Sequence, residues 1–322
     1  MAAWFIQWPV AEPALVIGED EVLRRASTWT SGCRLVVIGA VAAVVLGCSG
    51  TSDPTTGNRA NPNPRPPATP TSRGSQLSGG PRPAPHPRPA SPRLIATRAH
   101  IPVLTYHQIR NWRPTDGPAA RRLITPPGVF AAQMDALDRS GYATISGTRL
   151  VNHLLAGVPL PPKPLLVTFD DASQGQYTSA LPILHRHRFV ATFFVMTVVL
   201  DKPGWLSRAQ IRRLDRLGMT IAAHSWDHRP VPAYRGDDWR VQLVRPAREL
   251  GRLVGHRVRL FAYPYGRWTR AAFPKLERSG YLAAFQLAGP MDPRGPRWTI
   301  RRIMVAPTWS NGTLLRQLTH SF

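Results

Sequence analysis

The sequence is almost without lysine. Of its 41 basic residues only Lys163, Lys202 and Lys275 are lysines, so the positive charge is nearly all arginine. Acidic residues are scarce as well, 18 in all, which leaves a formal net charge of +23. Such an excess attracts anionic wall polymers, lipid surfaces or nucleic acid. No basic cluster interleaves with aromatics as a nucleic-acid groove would, so nucleic acid is not expected as a partner. Cysteine is limited to Cys33 and Cys48. Both lie close to the N-terminus, which excludes disulfides and thiolate chemistry from the rest of the chain. Long apolar runs are missing too. The run 35–46, LVVIGAVAAVVL, falls short of the roughly 20 residues that span a bilayer. There is no sequence repeat, and no dinucleotide fingerprint follows the first candidate strand.

What is present falls into three segments. In the first, 1–48, Arg24, Arg25 and Arg34 precede the apolar run and Val45-Leu46-Gly47-Cys48 closes it. A basic stretch, a short apolar core and a small-residue end describe a secretory signal. The cysteine after Gly47 resembles the lipobox of bacterial lipoproteins. That resemblance implies lipidation at Cys48, a membrane partner through a lipid anchor, and a place on the outer face of the cytoplasmic membrane or in the wall. A short membrane anchor is the alternative. Residues 1–21 fit neither picture; a start assigned upstream of Val22 accounts for them. The second segment, 49–99, is rich in Pro, Ser, Thr, Gly and Arg. It cannot bury enough apolar surface to offset its chain entropy and reads as a disordered tether. The third, 100–322, is the domain expected to carry the chemistry.

In that third segment short apolar runs alternate with helical stretches. Strands are predicted at 102–109, 142–146, 164–169, 191–196, 219–224, 259–263, 281–286 and 300–305. Helices are predicted at 126–139, with Thr125 as N-cap, and at 176–187, 207–217 (opened by Ser207), 239–254, 269–279 and 311–318. Strand and helix in turn over about 220 residues predict an α/β architecture, a distorted (β/α) barrel of about seven strands.

Three apolar runs end in polar groups. Leu165–Phe169 ends in Asp170-Asp171, Ile221–Ala223 ends in His224-Ser225-Trp226-Asp227-His228, and Phe261-Ala262 leads into Tyr263-Pro264-Tyr265-Gly266. In a parallel barrel the carboxyl ends of the strands converge on one face. Two imidazoles and one carboxylate make a three-ligand set with an open position, as catalytic metals require. The adjacent second aspartate is then available as a base. An Asp-Asp pair capping a helix is the bland alternative.

At these residues the sequence resembles the polysaccharide deacetylases, the NodB-homology domains of carbohydrate esterase family 4. Thr168-Phe169-Asp170-Asp171 is similar to their first motif, His224 to His228 to their second, and Phe261 to Gly266 to a variant of their third. The resemblance covers roughly 100–310. It implies metal-dependent removal of N-acetyl groups from a polysaccharide. Asp171, His224 and His228 would hold Zn²⁺, or Co, Ni or Fe, with Asp170 as base. The Tyr265 N–H would serve the oxyanion, with Tyr263, Pro264 and Trp226 near the substrate. Ala262 stands where the family carries a base-orienting arginine; Arg302 is the expected replacement and Arg301 its rival. For the general acid there are two histidines. His320 lies in the late Leu318-Thr319-His320. His107 closes the P-V-L-T-Y-H run and is preferred, because that opening resembles the exopolysaccharide-deacetylase branch of the PgaB and IcaB type. The branch implies a poly-N-acetylglucosamine glycan, with peptidoglycan or chitin oligomers as alternatives. Trp205, Trp268 and Trp309 are further candidate sugar platforms. A monomer is expected. A non-catalytic, glycan-binding wall lipoprotein on the same scaffold is the rival from another class.

Overall fold

A computed structural model of the chain describes residues 90–322. The expected signal, Cys48 and the tether up to residue 89 lie outside the described residues. The described fold includes a helix ahead of the boundary expected at 99/100. Ser91 accepts a hydrogen bond from the Leu94 N–H and opens a helix, Pro92–Arg98, whose Ile95 is buried. The pair Leu94-Ile95 after a proline-rich stretch gave little signal, yet Ile95 joins the core.

Among the described residues seven strands follow one another in a parallel sheet: β1 Val103–Tyr106, β2 Pro164–Phe169, β3 Ala191–Val195, β4 Thr220–Ala223, β5 Leu260–Ala262, β6 Ala283–Phe285 and β7 Ile303–Met304, with a short eighth, Ala143–Thr144, pairing with the start of β2. Their spatial order is β7-β1-β2-β3-β4-β5-β6. The last segment reaches both ends of that row. Ile300 bridges to Phe285 of β6, while Ile303 and Met304 pair with Leu104 and Thr105 of β1. The sheet is thereby curled into the expected distorted barrel.

Alternation decides what lies inside it. Val103, Leu166, Phe194, Ala222, Ala262, Phe285 and Ile300 share one buried cluster. Their sequence neighbours Leu104, Val167, Phe193, Ala223, Phe261 and Ala284 belong to another. The second cluster also takes Phe130 and Leu137 from the helix Pro127–Arg139, Leu214 from Arg208–Arg216, Leu250 from Arg245–Val254 and Leu318 from Asn311–His320. It is the layer between strands and outer helices. The first cluster takes Leu150 and Leu154 from the helix Gly147–Ala156, together with Ile95. These close the barrel at the end where strands begin. The other end, where strands finish, stays open to polar groups.

Several elements differ from the sequence reading, among them the helices Gly147–Ala156 and Pro118–Arg121, which no predicted helix covers. The run 102–109 breaks at His107; Gln108–Ile109 leaves β1 and pairs in parallel with Ile124–Thr125. Thr125 is therefore in a strand, and the N-cap of the following helix is Pro126, with no side-chain cap. Ser207 opens Arg208–Arg216 as expected, in a reciprocal capping box with Gln210.

Candidate active site

The residues that follow β2, β4 and β5 meet at the open end of the barrel. Leu166, Thr168 and Asp170 alternate onto the interior face. After Asp170 the backbone turns left-handed, with φ 74° at Asp171 and 68° at Ala172. Ser225, His228 and Tyr265 are also left-handed, at φ 64°, 68° and 58°. Non-glycine residues rarely adopt this conformation, and each instance needs surrounding structure to hold it. Here Ser225 Oγ accepts from the His228 N–H at 2.9 Å. Gln242 Oε1 accepts from the N–H groups of Trp226 and Asp227 at 3.1 and 3.4 Å. The loop between the two histidines is thus held from both sides.

His224 Nδ1 lies 2.8 Å from the Ala262 carbonyl, so it carries the proton and Nε2 faces the centre. The two Nε2 atoms of His224 and His228 are 3.1 Å apart. Asp171 Oδ1 stands 3.4 Å from the first and 3.3 Å from the second. All three residues are buried. Two imidazole nitrogens turned toward each other and toward one carboxylate oxygen form a donor set that a divalent cation fits. Burial brings the His228 imidazole down to about 4, against the attraction of Asp171, so it is neutral at neutral pH with a lone pair to give. Burial likewise opposes charge on Asp171, but His228, His224 and His107 outweigh it and hold its carboxyl below the usual range.

Asp170 is held by an arginine. Arg302 Nη1 and Nη2 donate to its two oxygens at 2.6 and 2.8 Å. Nε of the same guanidinium donates to the Gln286 carbonyl at 3.0 Å, and the group lies over the Phe194 ring at 5.0 Å. Arg302 is fully buried. Burial pushes the Asp170 carboxyl up; Arg302 and then His224 more than reverse this, so it remains ionised. Arg301 points away, donating to the Ser321 carbonyl at 2.7 Å.

His107 leaves the end of β1 half-buried. Its carbonyl accepts from Gln176 Nε2 at 2.8 Å and from Ser173 Oγ at 3.2 Å, while its Nδ1 is buried without a hydrogen bond. It is close enough to depress both Asp170 and Asp171. His320 is exposed on the last helix, its Nδ1 2.7 Å from the Arg316 carbonyl.

The other predicted contacts divide. Tyr265 is 42% exposed and its ring centroid is 4.5 Å from that of His228, which puts it at the rim of the site. Tyr263 and Pro264, expected near the substrate, have their side chains turned into the protein. Both are buried, and Tyr263 packs edge-on against Phe261 at 5.5 Å. Tyr263 joins the outer layer because the strand alternation runs one residue past β5. Trp226 is half-buried with the Arg245 guanidinium 4.9 Å over its ring, so one face is already covered. Trp268 stacks on Phe273 and donates to Gln286. Trp205 lines a 360 Å³ cleft with Gln108, Arg110 and Ser173, beside the His107 carbonyl.

Sequence reasoning missed Gln176, Ser225 and Gln242. All three are buried. Gln176 also donates to the Asp170 carbonyl at 2.5 Å. Gln176 and Gln242 offer no local signal beyond a glutamine on a helix, and Ser225 lies inside the second motif without its role being legible, because burial is not readable before the fold is known.

Residues 157–284 match the polysaccharide deacetylase family. YxkH of Bacillus subtilis, which carries the polysaccharide deacetylase name, is 22% identical over 213 residues, 66% of this chain and 74% of that protein. The poly-beta-1,6-N-acetyl-D-glucosamine N-deacetylase of Escherichia coli is 23% identical over 241 residues, 61% of this chain but only 36% of the enzyme. Among solved structures the fold is similar to the Streptococcus pyogenes deacetylase PplD in complex with acetate. That likeness has a TM-score of 0.63 at 24% identity over 68% of this chain and 97% of that one.

Proposed function

From the premise that this chain carries a polysaccharide deacetylase domain, we propose that it is a metal-dependent N-deacetylase of a cell-surface polysaccharide. The glycan favoured is a poly-N-acetylglucosamine, on the sequence similarity to the Escherichia coli enzyme and on the His107-bearing first strand. The observation that carries the reading is Asp170. A module that only bound glycan would have no use for a buried, ionised carboxylate clamped by Arg302 beside a set of metal donors.

Asp171, His224 and His228 would hold a divalent cation, which would supply Lewis-acid polarisation of the acetyl carbonyl. Asp170 removes a proton from the attacking water. Arg302 fixes both oxygens of Asp170 and keeps it ionised. The Tyr265 N–H donates to the oxygen that becomes negative. His107 delivers a proton to the departing sugar nitrogen, which otherwise leaves as a prohibitively basic anion. Acetate and a free amine on the glycan are the products. Export through the 1–48 segment, with lipidation at Cys48, completes the proposal.

The test is acetate release from N-acetylglucosamine oligomers by metal-loaded protein. Glycan binding without any acetate release sinks the enzyme reading in favour of a wall-binding lipoprotein.

A further inference from the structure

The barrel has a cationic end opposite its active site. A groove of about 710 Å³ runs between the helices Arg245–Val254 and Ala272–Arg278, and Arg248, Arg252, Arg257 and Arg278 line it. All four are exposed. Arg257 lies just before β5 and Arg278 just before β6. The groove is therefore at the end where strands begin, and the catalytic groups are at the end where they finish.

The acidic groups of the surrounding elements are paired with residues other than the four arginines, Asp215 with the groove-lining His256. Glu249 pairs with Arg208 at 2.6 Å, Glu277 with Arg297 at 2.5 Å, and Asp215 with His256 at 2.8 Å. The four groove guanidinium groups make no hydrogen bond or ion pair with the described residues. The chain also enters the fold at this end. The Ala90 N–H donates to the Leu155 carbonyl at 3.1 Å, and Arg98 donates to Leu154 at 3.2 Å, both at the last turn of the helix that closes the barrel. The described chain thus begins, at Ala90, on the same end of the domain as the groove.

The geometry points to this end as a docking face for an anionic membrane surface, which receives the four arginines and leaves the active-site mouth facing outward. Clustered arginines without acidic partners suit a plane of phosphate headgroups, and each basic residue near such a surface is worth about fivefold in partitioning. The chain's entry into the fold at Ala90 on this same end, with the segment that carries Cys48 preceding it in sequence, favours a bilayer over a soluble polymer.

The test uses the full-length chain with Cys48→Ser, so that no acyl group contributes. Partitioning onto vesicles with roughly 30% phosphatidylglycerol is compared with pure phosphatidylcholine at about 0.15 M salt. Arg248→Ala, Arg252→Ala and Arg278→Ala together are expected to cut the anionic-lipid increment by about 100-fold. A control removes the same charge elsewhere, with Arg121→Ala, Arg122→Ala and Arg316→Ala, and retains most of it. Thermal melts verify that both variants fold. Equal losses in the two variants would reduce the effect to net charge and overturn the proposal. It is overturned equally if the groove variant loses binding to soluble polyphosphate but not to vesicles.

Discussion

Arg302 and Asp170 are the pair on which the site turns. Both are buried, and removing one charge of a buried pair costs about 3–5 kcal/mol because the other is left uncompensated. Arg302→Ala should lower the urea midpoint correspondingly and suppress turnover, whereas Arg301→Ala should leave both near wild type. Asp170→Asn should cut acetate release by about 10²–10⁴-fold while metal content measured by elemental analysis stays unchanged. Near-normal activity in this variant would remove Asp170 from its role. His107→Ala should lose about 10²-fold or more in turnover, and His320→Ala should lose almost nothing. The reverse ranking would return the acid to the C-terminal helix. The aspartates and histidines were legible because each stops an apolar run. The choice between Arg301 and Arg302 was not. Ile300, Ile303 and Val305 do not keep a clean two-residue period, and both faces of that segment are buried against different clusters.

The elements around the site are held by close approaches that no hydropathy pattern reveals. Gly175 is one. A Cβ there would stand 2.2 Å from the Ile109 carbonyl oxygen. Gly175→Ala must push the Gln108–Ile109 strand away, and with it the neighbouring His107. A loss of about 1–3 kcal/mol is expected, with reduced turnover, read by a thermal melt and an acetate assay on the same sample. The loop that follows that strand carries a pH-sensitive contact. Hydrogen bonds from Arg110, at 2.7 and 2.9 Å, bring Asp116 down to about 2. A depressed carboxylate stabilises the fold above its unfolded pKa, about 3.9, and the gain disappears as pH falls toward the folded value. Asp116→Asn should therefore flatten the unfolding free energy between about pH 4 and about pH 2 and leave its slope above pH 5 untouched. Strands β2, β3 and β4 were readable almost to the residue, since each is a compact apolar run. β1 was read too long. The alternation continues smoothly through His107, and only pairing with Ile124–Thr125, which belongs to another part of the chain, shows where the strand ends.

For the molecule as a whole, the metal is expected to matter to stability as well as to activity. A cation present at about 100 times its dissociation constant adds about 2.7 kcal/mol to the folded state. Stripping the protein with a chelator should therefore abolish acetate release and lower the melting temperature by on the order of 5–10 °C, both restored by adding the divalent ion back. A melting temperature indifferent to the chelator would argue against Asp171, His224 and His228 as the holders. The barrel itself was legible from the succession of strands and helices. Its cationic end was not, because the arginines that line it come from separate helices and gather only on folding.

The contact between Arg302 and Asp170 also spans 132 residues of chain. During synthesis the two histidines and both aspartates emerge well before the segment that supplies the arginine. Until that last strand docks beside β1, the base has no clamp, and the base and the barrel reach completion in the same event. A nascent or C-terminally shortened chain can thus possess its cation-binding groups and still be silent toward acetamides.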